Sequence, residues 1–193
     1  MNTEGNAAVI NDILREADGK MDKSVEATRE EFSAIRAGRA NPSMFAKIMV
    51  DYYGTPTPIQ SLASFTSQEA RIILVAPYDI GAIGNIERAI RDSDLGVNPA
   101  NDGKVLRCVF PELTEERRKE YIKVAKAKAE DGRVAVRNLR RHAKQELEKL
   151  EKDGDVGKDD ITGAEKRLDS MTKKHTDSID ELLKHKESEL LEV

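Results

Sequence analysis

The sequence predicts an α+β protein: an elongated three-helix bundle with a small α+β unit inserted between its first two helices. Three observations predict it. Apolar stripes at helical spacing run through residues 10–35, 122–150 and 161–190. Residues 43–110 change to alternating and β-branched patterns broken by Gly and Pro. Charged residues make up 35% of the 193 residues and aromatics only 4%, a pairing that suits long solvated helices over one thick core.

The first helix is expected over residues 10–35, on the stripe Ile10, Leu14, Ala17, Met21, Val25, Thr28, Phe32, Ile35. It stops near Gly38, and Asn41 before Pro42 avoids the α region. Residues 47–53 alternate, with Ile48, Val50 and Tyr52 on one side, and read as a strand. Residues 54–58, with Pro56 and Pro58, read as a stiff turn. Residues 62–66 and 71–76 are further strands, the second a continuous run suited to burial on both faces. Residues 79–92 carry Ile83, Ile86 and Ile90 at helical spacing. Residues 96–103 read as loop, with Asn101, Asp102 and Gly103 as a hairpin-type turn, and 105–110 as a last strand before Pro111.

The second helix opens at Thr114, an N-cap followed by Glu115 and Glu116, which suit the positive helix end. Its seam is Ile122, Ala125, Ala129, Gly132, Val136, Leu139, Ala143, Leu147, Leu150. It would span roughly 55 Å at ~1.5 Å per residue. Residues 154–157 are the turn. The third helix follows, with Ile161, Ala164, Leu168, Met171, His175, Ile179, Leu182 and Leu190 on one side. Helices with single apolar stripes bury them against one another. The organisation expected is residues 1–37 and 112–193 as the bundle and 38–111 as the inserted domain. The two connecting strands, with Gly38, Pro42 and Pro111, suit a hinge.

Several function classes lack support. No run of 18 apolar residues exists, so no transmembrane helix is expected. The N-terminus has no basic start followed by an apolar stretch, so no secretory signal is read. Cys108 is the single cysteine, which excludes an internal disulfide and any zinc site built on several cysteines. A cytoplasmic monomer without metal or cofactor is expected. There is no nucleophile elbow, HExxH or P-loop. His142, His175 and His185 all fall on the second and third helices, and His175, on the seam, reads as packed rather than ligating. Gly81-Ala82-Ile83-Gly84 has the form of an RNA-clamping GXXG loop but no adjacent basic residue.

The strongest signal is charge placement. The whole chain carries −4, yet residues 117–144 carry +8. At 100° per residue, Lys126, Arg133, Arg137, Arg140 and Lys144 cluster about 100° from the seam, with Arg141 beside them and Arg117, Arg118 and Lys119 toward the helix start. A solvated helix face is the ordinary alternative. Such faces interleave signs for i,i+4 pairing, however, and residues 133–144 contain no acid, Glu130 being the nearby exception. Arginine outnumbers lysine there, as suits bidentate phosphate recognition. No aromatic interleaves the stripe, so shape and backbone recognition of structured RNA fits better than base stacking. Guanidinium groups engaged internally with carboxylates, leaving nothing free to grip, would overturn this reading.

Five segments in order carry a resemblance: FSAIRAGRANP (32–42), VDYYGTPTPIQSLAS (50–64), SDLGVNPANDG (93–103), LTEERRKEYIK (113–123) and RVAVRNLRRHA (133–143). Over nearly its whole length the chain resembles the bacterial ribosome recycling factor family. The resemblance implies a three-helix bundle and a three-layer β/α/β domain in an L shape. It implies action after termination, when elongation factor G and the recycling factor split the ribosome, still on its mRNA, into subunits. The bundle would lie on large-subunit rRNA, and GTP would be hydrolysed by the partner, so the chain would be no enzyme. Family residues for the large subunit fall on Arg117, Arg118, Arg137 and Arg140, and those of the hinge on Arg36 and Arg39. There are departures. Residues 1–8 precede the family's usual start, Gly132 takes a seam position often held by Ala, and Gly157 stands where an N-cap Ser is common. Gly81, Gly84 and Gly163 are additional.

Two other classes make different predictions. A helical scaffold or adaptor would bind a protein partner through the bundle, with little salt dependence. A stand-alone RNA chaperone would bind naked duplexes as tightly as ribosomes.

Overall fold

The computed structural model describes residues 3–192. It is α+β, with α1 (Thr3–Ser33), β1 (Met49–Tyr52), β2 (Thr55–Pro58), β3 (Ala63–Glu69), β4 (Ile72–Pro77), α2 (Ile83–Arg91), β5 (Ala100–Asn101), β6 (Leu106–Val109), α3 (Glu115–Lys152) and α4 (Lys158–Leu191). None of its helices is long and apolar enough to cross a membrane. Contacts divide the chain into two compact units, Met1–Phe32 with Ala125–His185, and Ser33–Val124 with Lys186–Val193.

The first unit is three packed helices. The stripes read from the sequence are its interior: Leu14, Met21 and Phe32 of α1, Val136 and Leu147 of α3, and Ile161, Leu168 and Ile179 of α4 are all buried. Burying side chains of this size contributes roughly 1.5–3 kcal/mol each. Polar contacts link the helices in pairs. Lys128 of α3 meets Glu31 of α1 at 3.1 Å, and Arg167 of α4 reaches Asn11 of α1 at 3.0 Å. His175, buried on the α4 seam, places Nε2 2.7 Å from Asp18 and Nδ1 3.4 Å from Asp22.

Gly132 sits where α1, α3 and α4 meet. A Cβ built on it would lie 2.4 Å from Thr28 Oγ1 and 3.1 Å from Ile179 Cδ1. The missing side chain is therefore what lets α3 approach this closely. Buried Thr28 points its hydroxyl there while donating to the Ser24 carbonyl at 2.9 Å.

The second unit has a two-stranded sheet, β1–β2, and a four-stranded antiparallel sheet in the order β3-β4-β6-β5. Their shared core is built from Phe45, Val50, Ile59, Ile73, Val75, Leu106, Cys108 and Phe110, with Ile86 and Ile90 of α2 completing it. Phe45 meets Phe65 with centroids 5.0 Å apart and Phe110 edge-on at 6.0 Å.

The boundaries differ from expectation at four places. The first helix begins at Thr3 rather than near Ile10. Residues before Ile10 carry no apolar stripe, but Ala7 and Ala8 favour helix and Glu4 suits the first turn. Of the amino-terminal residues 1–8, Met1 and Asn2 lie outside the described residues. The segment read as a stiff turn is strand β2, paired with β1 from Tyr52↔Thr55 to Met49↔Pro58. The turn is only Tyr53 and Gly54, with φ of 49° and 82°, the two positive values of a type I′ hairpin. Both prolines are tolerated because a two-stranded sheet is all edge. The residue 79–92 helix begins as a 3-10 turn over Ile80–Ala82, whose cap Asp79 accepts from Gly81 N at 2.9 Å. Lastly, residues 100 and 101, read as loop, form β5 against Arg107 and Leu106.

Candidate nucleic-acid interface

Thr114 accepts from Arg117 N at 3.2 Å and fixes where α3 begins. From there α3 runs unbroken to Lys152. Ala125, Ala129, Gly132, Val136, Ala143 and Leu147 turn inward, so the cations at other angles are left on the surface. In the first unit, Lys126, Arg137 and Arg141 are exposed and Arg133, Arg140 and Lys144 half-buried.

The structure gives most of these cations carboxylate partners. Arg133 places Nε 3.0 Å and Nη2 2.9 Å from Glu130, and Nη1 2.7 Å from Asp180 of α4. Every nitrogen of that guanidinium is thus engaged. Arg137 Nη1 donates to Glu130 at 3.1 Å, and Arg140 Nε to Asp169 of α4 at 2.7 Å. Lys144 lies 3.6 Å from Glu165 of α4. Arg141 has no ion pair among the described residues. The bonds from Arg133 and Arg137 hold the Glu130 carboxyl below its ordinary range. Burial, which alone would lower the Arg133 pKa, is outweighed by its bonds to Glu130 and Asp180, and the pKa is raised.

Within residues 133–144 α3 itself carries no acid, but Glu130 one turn earlier on the same helix and Asp180, Asp169 and Glu165 across the groove supply carboxylates to the stripe. Arg140 and Asp169 stand equally far from the turn that joins α3 to α4, as do Lys144 and Glu165, so an antiparallel hairpin brings each pair level. Symmetry about that turn is the signal that could have found the α4 acids. The engagement of the guanidinium groups is complete at Arg133 and partial at Arg137 and Arg140. Arg140 shares only Nε and Arg137 only Nη1 in these pairs, and exposed ion pairs of this kind are worth only about 0–1 kcal/mol.

In the second unit, Arg117 pairs with Glu120 at 3.2 Å, and Arg118 donates to the Leu191 carbonyl at 3.4 Å with its Nε buried and unpartnered. The residues read as a hinge also lie there. Arg36 is buried: it donates to the Pro111 carbonyl and lies over the Phe110 ring at 5.6 Å, and burial lowers its pKa. It thereby clasps the segment after α1 to the segment before α3. Arg39 is exposed, Gly38 is half-buried with its α-carbon side against the Glu192 carbonyl, Pro42 opens a 3-10 turn and Pro111 is exposed.

His142 and His185 are exposed, and no cluster of three His, Cys, Asp or Glu side chains suited to a metal occurs among the described residues. Cys108 is buried, and burial pushes its thiol up to about 12.

Comparison with known proteins fits this architecture. A sequence model of the family "Ribosome recycling factor" matches residues 28–191. The ribosome-recycling factor of Nocardioides sp. (strain ATCC BAA-499 / JS614) is 81% identical over 185 residues, 96% of this chain and 100% of that one. The one from Kocuria rhizophila is 61% identical over 183 residues, 95% of this chain and 99% of that one. A solution structure of the ribosome recycling factor superposes with a TM-score of 0.74 at 38% identity, covering 95% of this chain and 98% of that one. A second structure, of the T. thermophilus factor with E. coli elongation factor G on the E. coli post-termination complex, gives a TM-score of 0.67 at 38% identity, covering 95% and 99%. With the family matched over most of its length and relatives this similar across nearly all of it, the chain belongs to the ribosome recycling factor family.

Proposed function

We propose that this chain anchors on large-subunit rRNA through the cations of α3 and, with elongation factor G, splits the post-termination ribosome into subunits, freeing it from mRNA. The chain is a non-enzymatic factor, so binding energy and the partner's GTP cycle supply the work. The observation that carries the anchor is the run from Arg133 to Lys144, with Arg137, Arg140 and Arg141 at the surface and no acid between them on the helix. The similar T. thermophilus factor, on a post-termination complex with elongation factor G, supports the partners. The protein would act as a monomer in the cytoplasm, where ribosomes turn over.

In this reading residues 1–37 and 112–193 act as the bundle and 38–111 as the moving domain. Arg36, Gly38, Arg39, Pro42 and Pro111 form the hinge. The Arg36 clasp on Pro111 and Phe110 supports the reading, because it keeps the two connecting strands together as they bend.

The test is sedimentation with purified large subunits. With about six phosphate contacts, affinity falls roughly a thousand-fold between 50 and 200 mM salt. Arg140→Ala weakens binding while the helical circular-dichroism signal stays intact. Salt-tolerant binding, or an Arg140→Ala variant as tight as the parent, refutes the anchor.

A further inference from the structure

A surface built to grip phosphate gains nothing in raw affinity from resident carboxylates, yet α4 supplies three. Asp180, Asp169 and Glu165 approach Arg133, Arg140 and Lys144 at 2.7, 2.7 and 3.6 Å. The spacings 4 and 11 on α4 fall at whole turns, so all three acids share one face. Their contribution to bundle stability is small. Their side chains are 57%, 57% and 33% exposed, and pairs this wet contribute little.

Resting on the α3 anchor proposed above, we infer that Glu165, Asp169 and Asp180 determine specificity, competing with phosphate so that only a correctly shaped RNA surface displaces them. A generic duplex is drawn by net positive field, which depends on how many cations are uncompensated. Three acids lying among the cations subtract from that field directly. A shaped surface is recognised by fixed donor directions, and the same acids supply those. Asp169 holds Arg140 by Nε, which keeps the guanidinium plane in place and leaves its terminal nitrogens to the ligand. The acids thus weaken generic binding more than shaped binding. Specificity is the difference between those two affinities.

The experiment compares the full chain with the triple variant Glu165→Gln, Asp169→Asn, Asp180→Asn. Affinity is measured for a short generic RNA duplex and for purified large subunits, at two salt concentrations. A control triple, Asp12→Asn, Glu26→Gln, Asp177→Asn, makes the same charge change where each acid pairs with a cation of its own helix. The α4 variant gains about tenfold for the duplex, with a steeper salt dependence, and much less for the subunit. The control gains little for either. Equal gains for duplex and subunit, or equal gains in control and α4 variant, overturn the proposal. Arg140→Ala run alongside separates two failures. If it binds subunits normally, the anchor falls and this proposal with it. If it binds poorly while the α4 variant keeps full selectivity, only the role of the acids is lost.

Discussion

Gly132→Ala is expected to destabilise the protein, although alanine in a helix interior normally does the reverse. The intrinsic gain is about 0.8–1 kcal/mol. Against it stands a Cβ 2.4 Å from Thr28 Oγ1, a contact no native packing tolerates. Thr28 yields only with difficulty, since it is β-branched, buried and bonded to the Ser24 carbonyl at 2.9 Å. Overpacking of this sort costs about 1–3 kcal/mol, so the net change is a loss of roughly 1 kcal/mol. In a chain of this length that lowers the melting temperature by about 2–4 °C. The sign reverses once the hydroxyl is gone. In a Thr28→Ala background the nearest remaining atom is Ile179 Cδ1 at 3.1 Å, the end of a side chain that can swing aside. There Gly132→Ala stabilises by up to about 1 kcal/mol, as helix propensity alone dictates. The assay is a double-mutant cycle by thermal and urea unfolding followed at 222 nm, with an expected coupling of about 1–3 kcal/mol. A Gly132→Ala protein more stable than its parent, or the same change in both backgrounds, would refute the close-approach argument.

Three further outcomes follow from other residues. Tethering the bundle rigidly to the inserted domain across residues 37–40 and Pro111 should block subunit splitting while leaving subunit binding intact; full splitting activity in that variant removes the hinge from the mechanism. Lys186 is 4% exposed, and burial lowers its pKa despite Glu189 at 3.3 Å. A base with a depressed folded pKa penalises folding below that pKa, and the penalty fades as pH rises toward the ordinary 10.5. Lys186→Met should therefore be neutral or stabilising at pH 7 and lose that advantage in alkali, which melting curves across pH would show. Asp102 accepts from Lys104 N at 2.9 Å and Val105 N at 2.7 Å, and these bonds hold its carboxyl below the ordinary 3.8. A depressed acid stabilises above its unfolded pKa and loses that as pH falls through the folded value. Asp102→Asn should thus cost stability near neutrality and shrink the acid-induced loss below about pH 4, a difference that would be absent if the turn bonds were weak.

The bundle was legible in the sequence because its core repeats. Leu14, Met21, Val136, Leu147, Leu168 and Ile179 recur at one angular position, and nothing but burial explains that pattern. The inserted unit was legible where strands are apolar, as in β4, and illegible where pairing alone makes the strand. Thr55 to Pro58 has no apolar alternation, and Ala100 and Asn101 are only two residues. The start of α1 was missed because propensity without periodicity leaves no mark. The cations of α3 could be placed on one flank from angles along a single helix. Their α4 partners needed the hairpin as well, since Asp169 and Asp180 lie 29 and 47 residues away from Arg140 and Arg133 and meet them only where the two helices fold back on each other. The same holds for Arg36, read as part of a pivot and found clasped 75 residues downstream on Pro111.

The deep placement of Cys108 in the sheet core has a practical corollary. Its thiol, pushed up to about 12, stays almost entirely protonated at neutral pH and shielded from reagents. A maleimide or disulfide probe can therefore label a cysteine engineered on the outside of either unit without first removing the natural one. Conversely, the rate at which Cys108 itself becomes modifiable times the opening of the β-rich unit. Ellipticity follows the helices in the same sample, so a single chain reports on its two halves through two separate clocks.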